Sequence, residues 1–190
     1  MNDLSPQTGA SETFLTDVKT LRERARHHVE LGPVTPSYAG DVKRTIEILQ
    51  SVLATELVCV LRYTQNSIVA TGLASESVKA EFAEHAREEQ GHAMQVAERI
   101  NQLGGVPDFS PDSLTMRAAA EYKTSDDLAA MIRENLIAER IAVEHYRELV
   151  RHFGDHDPAT RVMIEGILSV EEEHASDMLD LLARHGGLAE

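Results

Sequence analysis

The chain has 190 residues, 42% of them hydrophobic, and a formal net charge of −14 from 32 acidic and 18 basic residues. This length predicts one domain with a sizeable core, and the charge favours cations as partners over nucleic acid or an anionic membrane surface. The single cysteine, Cys59, excludes an internal disulfide framework and a four-cysteine metal module. With no signal-peptide pattern and no long apolar run, we expect a soluble cytoplasmic protein.

The first 40 residues are predicted to be an appendage to the main domain. Residues 1–13 are polar, and we expect them to be disordered. Apolar residues then follow helical spacing over residues 14–31 until Gly32-Pro33, which predicts an accessory N-terminal helix. Residues 33–40 contain two prolines and a glycine and are typical of a linker. The predicted domain therefore covers residues 41–190.

Four long helices are predicted in that domain, because helix-capping residues precede apolar stripes and glycines follow them. Asp157-Pro158 is the strongest start signal, since Asp is a good cap and Pro is favoured in the first turn. Nothing in the chain is typical of a strand. One connection, residues 104–124, is long enough to cross the length of a bundle. The prediction is an all-α, ferritin-like four-helix bundle with one long crossover. The predicted helices cover residues 41–72, 75–103, 125–154 and 157–185.

One pattern occurs twice in these helices. Glu89-Gln-Gly-His92 and Glu171-Glu-Glu-His174 both place a glutamate three residues before a histidine. Another helical glutamate precedes each pair: Glu56 lies 33 residues before Glu89, and Glu139 lies 32 residues before Glu171. Residues i and i+3 share a helix face, so one Glu and one His can bind the same ion. This spacing is typical of a carboxylate-bridged site for two metals.

Four glutamates and two histidines facing one core predict a metal, because buried unpaired carboxylates cost several kcal/mol each. Oxygen donors with some imidazole suit iron or manganese better than structural zinc. We expect Glu89 and Glu171 to bridge the two ions. Glu56 and His92 would complete one ion, and Glu139 and His174 the other. These six residues are the predicted metal ligands and catalytic residues.

The alternative is that acids and histidines simply lie on charged, exposed helices. A single Glu-x-x-His would fit that interpretation, but two matched copies do not, and each upstream glutamate also has a tyrosine seven residues later, Tyr63 or Tyr146. Each tyrosine could hydrogen-bond a metal-binding glutamate or only pack with an anchored hydroxyl. Cys59 is expected to be a small core residue. Other histidines on the helices, His85, His145 and His152, are expected at the surface or around the ligands.

Residues 48–58 (ILQSVLATELV), 88–93 (EEQGHA) and 171–175 (EEEHA) resemble the helix motifs of bacterioferritins and related ferritin-like proteins. The resemblance covers about residues 41–185. It implies a di-iron bundle with ferroxidase activity, which oxidises Fe(II) with oxygen or peroxide, and often storage of the ferric mineral in an oligomeric shell. All six predicted ligands match the family's iron ligands. We therefore expect two Fe ions per subunit, with Mn possible, and a homo-oligomer.

Two features depart from that family pattern. The haem-binding methionine that follows the bridging glutamate of the second helix is Gln90 here, so we predict no haem. The chain also ends just after the fourth helix, without the short fifth helix that lines the cage axis of bacterioferritins. Two other functions stay open. One is a manganese catalase or a rubrerythrin-like di-iron oxidase acting on peroxide or a small organic substrate; the other, ranked last, is a metal-free, DNA-coating bundle like the mini-ferritins.

Overall fold

Six α-helices and two 3-10 turns form the described part of the computed structural model, residues 16–72 and 75–185. Within those ranges there is no strand, as predicted. The chain divides into two compact units, with the division between Ser37 and Tyr38. The described residues of the first unit are largely exposed, whereas the second unit contains the long helices and the core.

The first unit contains helix α1, Val18–Arg24, and a 3-10 turn, Val29–Leu31. The predicted accessory helix is thus shorter than residues 14–31, of which 14 and 15 lie outside the described residues. Asp17 caps α1 by accepting a 3.0 Å hydrogen bond from the Thr20 amide. His28 has φ of 54°, a left-handed conformation that an α-helix does not continue. No residue of α1 is buried, so no core packing extends this helix.

The second unit is the predicted four-helix bundle. Three of its helices begin at an aspartate whose carboxylate accepts a hydrogen bond from the third amide beyond it: Asp41, Asp127 and Asp157, at 3.0, 2.8 and 3.0 Å. Gly104 and Gly154, with φ of 83° and 44°, follow the ends of two helices. The helices are α2 (Val42–Val69), α3 (Ser75–Gln102), the short crossover helix α4 (Leu114–Arg117), α5 (Leu128–Phe153) and α6 (Pro158–Arg184).

Helix α2 packs along α3 and α5 along α6, and the two pairs contact each other through α3 with α6 and α2 with α5. One core cluster surrounds the fully buried Phe82 and includes Ile132 and Met178. A second cluster includes Val58, Cys59 and Leu114 from the crossover. Cys59 is 3% exposed and reduced, which confirms the prediction that it is a core residue. Apolar packing therefore continues on both sides of the polar residues at the bundle's centre.

The crossover is held against α2 by side chains that α2 provides. Gln50 contacts it twice, donating to the Val106 carbonyl at 2.7 Å and accepting from the Asp108 amide at 2.9 Å. Thr55 accepts from the Ala119 amide at 2.9 Å. Arg62, 3% exposed, donates to the Glu121 carbonyl at 3.0 Å and to the Glu134 carbonyl at 2.6 Å, which joins α2 to both the crossover and α5. These bonds give the long connection a fixed path across the bundle.

Candidate metal centre

All four long helices contribute to one buried polar cluster at the middle of the bundle. Glu56 comes from α2 and Glu139 from α5, and both lie near the centre of their helices. The two Glu-x-x-His pairs come from α3 and α6, where the i,i+3 spacing puts both side chains of each pair on the inward face. None of the six is more than 5% exposed. The structure thus brings together every residue predicted as a ligand.

The six side chains form two groups of four that share two glutamates. Glu56, Glu89, His92 and Glu171 make one group; Glu89, Glu139, Glu171 and His174 make the other. The His92 Nδ1 atom lies 3.1 Å from Glu171 Oε1, 3.4 Å from Glu56 Oε2 and 3.5 Å from Glu89 Oε2. The His174 Nδ1 atom lies 3.3 Å from Glu89 Oε1 and 3.7 Å from Glu171 Oε2. Each histidine therefore faces both shared glutamates through its Nδ1 atom.

Most of the ligand atoms in this cluster lack hydrogen-bond partners. Of thirteen buried side-chain nitrogen and oxygen atoms without a partner in the described chain, eight belong to these six residues. Both oxygens of Glu89 and of Glu171 are among them. A buried polar atom with no partner costs about 1–3 kcal/mol, more if it is charged, so natural cores seldom keep such a set. Carboxylate oxygens and imidazole nitrogens that converge in this way fit divalent metal ions.

Burial and neighbouring charges shift the pKa values of the cluster's carboxyl groups and imidazoles. Burial raises the pKa of Glu89 and of Glu139 well above the usual carboxyl range, and the neighbouring carboxylate of Glu171 adds to the effect. Burial alone would lower the pKa of His92, but the surrounding carboxylates of Glu171, Glu56 and Glu89 outweigh it and raise that pKa to about 12. Burial would also lower the pKa of His174, but the carboxylates of Glu171 and Glu139 outweigh it and raise that pKa to about 9. Without metal, protons supply the positive charge that the carboxylates require.

The pKa of Glu171 shifts in the opposite direction from those of Glu89 and Glu139. Burial raises the pKa of a carboxyl group, but the nearby imidazoles of His174 and His92 prevail here and lower the pKa of Glu171 to about 2. Of the two shared glutamates, Glu171 is thus held ionised by both imidazoliums, whereas Glu89 favours its protonated form. The pKa values of the two shared carboxyl groups therefore shift in opposite directions, although their positions in the repeated pattern are equivalent.

The two repeated tyrosines hold the outer glutamates. The Tyr63 hydroxyl on α2 donates to Glu139 Oε1 on α5, and the Tyr146 hydroxyl on α5 donates to Glu56 Oε1 on α2. Both tyrosines are fully buried. Sequence reasoning left hydrogen bonding and plain packing open, and the structure supports the hydrogen-bonded alternative. These reciprocal bonds orient each carboxylate, so that its second oxygen faces the shared glutamates.

His85 is the important residue whose place the sequence left open. It is 2% exposed, and its ring stacks on His174 with centroids 3.9 Å apart. Burial, together with the positive charge of His174, lowers the pKa of His85 to about 3. Glu88, whose side chain is 46% exposed, places its Oε2 atom 2.7 Å from His174 Nε2. The sequence carries a signal for these residues around the ligands: Glu81 lies one turn before His85, and Asp177 lies one turn after His174. Neither acid was predicted to lie there.

In the described ranges, no helix combines the length and the hydrophobicity that crossing a membrane requires. An antiparallel helical bundle with one long crossover, and with this carboxylate and histidine set inside it, defines the class of ferritin-like diiron-carboxylate proteins. The sequence model of the family described as "Ferritin: Ferritin-like domain" matches residues 46–185. The chain belongs to this ferritin-like family.

Solved structures agree with that assignment. A dodecameric thioferritin, the bacterioferritin-related protein of Bacteroides fragilis, is 33% identical and superposes with a TM-score of 0.75 over 78% of this chain and 89% of its own. A ferritin-like diiron-carboxylate protein of Bacillus anthracis is 26% identical, with a TM-score of 0.66 over 74% of this chain and 96% of its own. The predicted fold and the predicted resemblance are therefore confirmed.

The expectation that nucleic acid is not a partner class is wrong. The "DNA protection during starvation protein" of Pyrococcus furiosus is 33% identical over 75% of this chain and 78% of its own. The "Nutrient stress-induced DNA-binding protein" of a Synechococcus is 31% identical over 72% and 80%. The error lay in treating net charge as a property of the whole surface, since a sum of −14 leaves room for a local basic segment.

Proposed function

We propose that the protein is a ferroxidase, which binds two Fe(II) ions in the buried cluster and oxidises them with oxygen or peroxide in iron storage or detoxification. The observation that supports this most is the convergence of six side chains from four helices, with eight partnerless ligand atoms, into two groups that share two carboxylates. Glu89 and Glu171 would bridge the ions. Glu56 with His92 would complete one ion, and Glu139 with His174 the other.

Each bound Fe(II) ion would supply one electron. Two ions would therefore supply the two electrons that convert dioxygen and two protons to hydrogen peroxide. The chain's own residues prepare the position for it. Tyr63 and Tyr146 fix the outer carboxylates, Glu88 holds the outer nitrogen of His174, and the apolar core excludes water. The fixed donors then need little rearrangement as the charge of the ions changes.

The test is the oxidation of Fe(II) by oxygen. The protein is loaded with Fe(II) anaerobically and mixed with oxygenated buffer, and absorbance reports the ferric product. Glu89→Gln keeps the size of the side chain but removes a bridging charge, and we expect the rate to fall to that of Fe(II) in buffer. Glu173→Gln, an exposed position two residues beyond Glu171, is the matched control and should oxidise like the parent protein. A Glu89→Gln protein that stays folded by circular dichroism and oxidises Fe(II) at the parent rate would refute the ferroxidase proposal.

The same ligands also suit a manganese catalase or a di-iron oxidase of rubrerythrin-like type, which stays the alternative. Elemental analysis of the purified protein, followed by peroxide turnover after loading with Mn(II) or Fe(II), separates these functions. A storage protein takes up many irons per subunit, whereas an enzyme stops at two. Peroxide disproportionation that requires manganese, with no iron uptake beyond two, would replace the ferroxidase proposal with the catalase.

Several further properties complete the proposal. The functional domain covers residues 41–190, with residues 1–40 as its appendage, and the protein acts in the cytoplasm without haem. It assembles as a homo-oligomer. Large apolar side chains exposed on the second unit support that assembly: Ile68, Val106 and Met116 are 72%, 83% and 80% exposed. The Bacteroides relative is described as dodecameric, and sedimentation or mass photometry would show whether this chain assembles similarly.

Association with DNA is the second candidate function, and the names of the two relatives favour it. The chain offers a basic segment, residues 19–26, in which Lys19, Arg22, Arg24 and Arg26 are all exposed. Neutralising these four by glutamine should weaken binding to a duplex in a gel shift, with the slope of log affinity against log salt reduced by up to about 3.6. Lys43→Gln, an exposed lysine on α2, is the control. Equal DNA binding by both variants would exclude the basic segment as the DNA-binding surface.

A further inference from the structure

A second, smaller group of ligand-type side chains lies beside the metal centre. Glu81 and His85, four residues apart on α3, face Asp177 on α6, and one donor atom from each lies within 4.8 Å of the other two. His85 Nε2 is 3.5 Å from Glu81 Oε1 and 3.7 Å from Asp177 Oδ2. Both separations are longer than a good hydrogen bond, so the three groups converge without bonding each other well.

These separations match the spacing of ligands around one cation. Donor atoms at about 2.1 Å from a tetrahedral cation lie about 3.4 Å from one another. One imidazole with two carboxylates is a donor set that first-row divalent cations accept. Asp177 reaches the group because it follows His174 by three residues, one turn along the same face of α6. A structural ion pair would instead bring His85 to within about 3 Å of one acid.

The position of His85 links this outer group to the metal centre. Its ring stacks on His174, and His85 also belongs to a trio of ligand-type residues with Glu139 and His174. The His85 Nδ1 atom is buried and has no hydrogen-bond partner. The two acids are partly exposed, with 34% of the Glu81 side chain and 43% of the Asp177 side chain accessible. The group thus extends from solvent to the edge of the buried cluster.

We infer that Glu81, His85 and Asp177 form a third site for a first-row divalent cation, outside the two-metal centre. Binding at this site stands on its own geometry. Its role, delivering Fe(II) from solvent past His85 to the buried pair, rests on the proposed ferroxidase function. Partial exposure of the carboxylates allows a hydrated ion to enter, and the stacked imidazole places it next to a ligand of the inner pair.

Zn(II) binding measures the site directly, because zinc has no redox chemistry. Equilibrium dialysis with elemental analysis would give the zinc bound per subunit, and anomalous scattering from a zinc-soaked crystal would give its positions. Asp177→Asn removes one outer ligand at a position whose side chain is 43% exposed. His85→Gln is the second variant, and His145→Gln, a partly buried histidine outside every ligand group, is the control.

We expect three Zn(II) ions per subunit in the parent and the control, and two in Asp177→Asn and His85→Gln. A Glu89→Gln, Glu171→Gln double variant should retain one. If the parent binds one ion and Asp177→Asn none, the two-metal proposal fails while the third site holds. If Asp177→Asn and His85→Gln bind as many ions as the parent, with no anomalous peak beside His85, the third site is refuted whatever the count at the centre.

Discussion

Metal loading should release protons, because the metal-free centre keeps its charge balance with them. His92 and His174, with pKa values of about 12 and 9, carry protons at pH 7, and the raised pKa values of Glu89 and Glu139 favour protonated carboxyl groups. All must be deprotonated to bind a cation. We expect between two and four protons to leave each subunit. Four protons exchanged for two divalent cations would leave the charge of the core unchanged.

The sign and size of the pH effect follow from that count. Each released proton makes the combined binding constant for two ions rise about tenfold per pH unit, so it should fall about 10² to 10⁴-fold between pH 7 and pH 6. A site whose histidines kept the ordinary pKa near 6.5 would release only about half a proton at pH 7. Binding therefore tightens with rising pH, with a slope that decreases near pH 9, where His174 loses its proton, while His92 keeps its proton up to about pH 12.

The assay is calorimetric titration of Zn(II) into the metal-free protein, repeated in buffers of different ionisation enthalpy, so that the slope gives the protons released. The Asp177→Asn variant should be used, because it removes the inferred third site from the count. A matching series with a competing chelator at pH 6 and pH 7 gives the affinities. Release of fewer than one proton per subunit, with affinity independent of pH, would refute the charge balance described here.

Three further outcomes concern stability, measured by chemical denaturation. Phe82→Ala removes a fully buried ring and should cost about 3–5 kcal/mol; a loss below about 1 kcal/mol would contradict the packing. Asp157→Ala should cost about 3–5 kcal/mol, because it removes a helix cap and leaves the mostly buried Arg99 without its 2.9 Å partner, whereas the exposed Asp155→Ala should barely change stability. Zn(II) at 100 times its Kd should stabilise the protein by about 2.7 kcal/mol for each site that it fills, and removing it with a chelator should reverse the gain.

The sequence predicted the helices well where local signals were strong. Aspartate caps and glycines after the C-terminal turns act within a few residues, so Asp41, Asp157 and Gly154 marked real helix boundaries. The accessory helix was overestimated, because periodicity alone does not stabilise a helix that buries nothing. The path of the crossover could not be predicted either, since it depends on hydrogen bonds that Gln50 and Arg62 make to residues distant in the sequence.

The convergence of the candidate centre was predicted because its spacing repeats, and repetition is visible without a structure. The surrounding layer carries no repeat. His85 pairs with an acid one turn before it on its own helix and with Asp177 on another helix, and the stacking on His174 depends on how α3 and α6 pack. The basic segment is visible in the sequence, but Glu23 and Glu30 are interleaved with it, which favours a solvated face. Only the names of the relatives make it a candidate for DNA binding.

We propose that six side chains of the bundle hold two metal ions. A crystal soaked anaerobically with Fe(II), measured on both sides of the iron absorption edge, tests it most directly. We predict two strong anomalous peaks inside the bundle, both in contact with Glu89 and Glu171, one of them with Glu56 and His92 and the other with Glu139 and His174. Iron only at the surface, with the six side chains still joined by protons alone, would contradict the account.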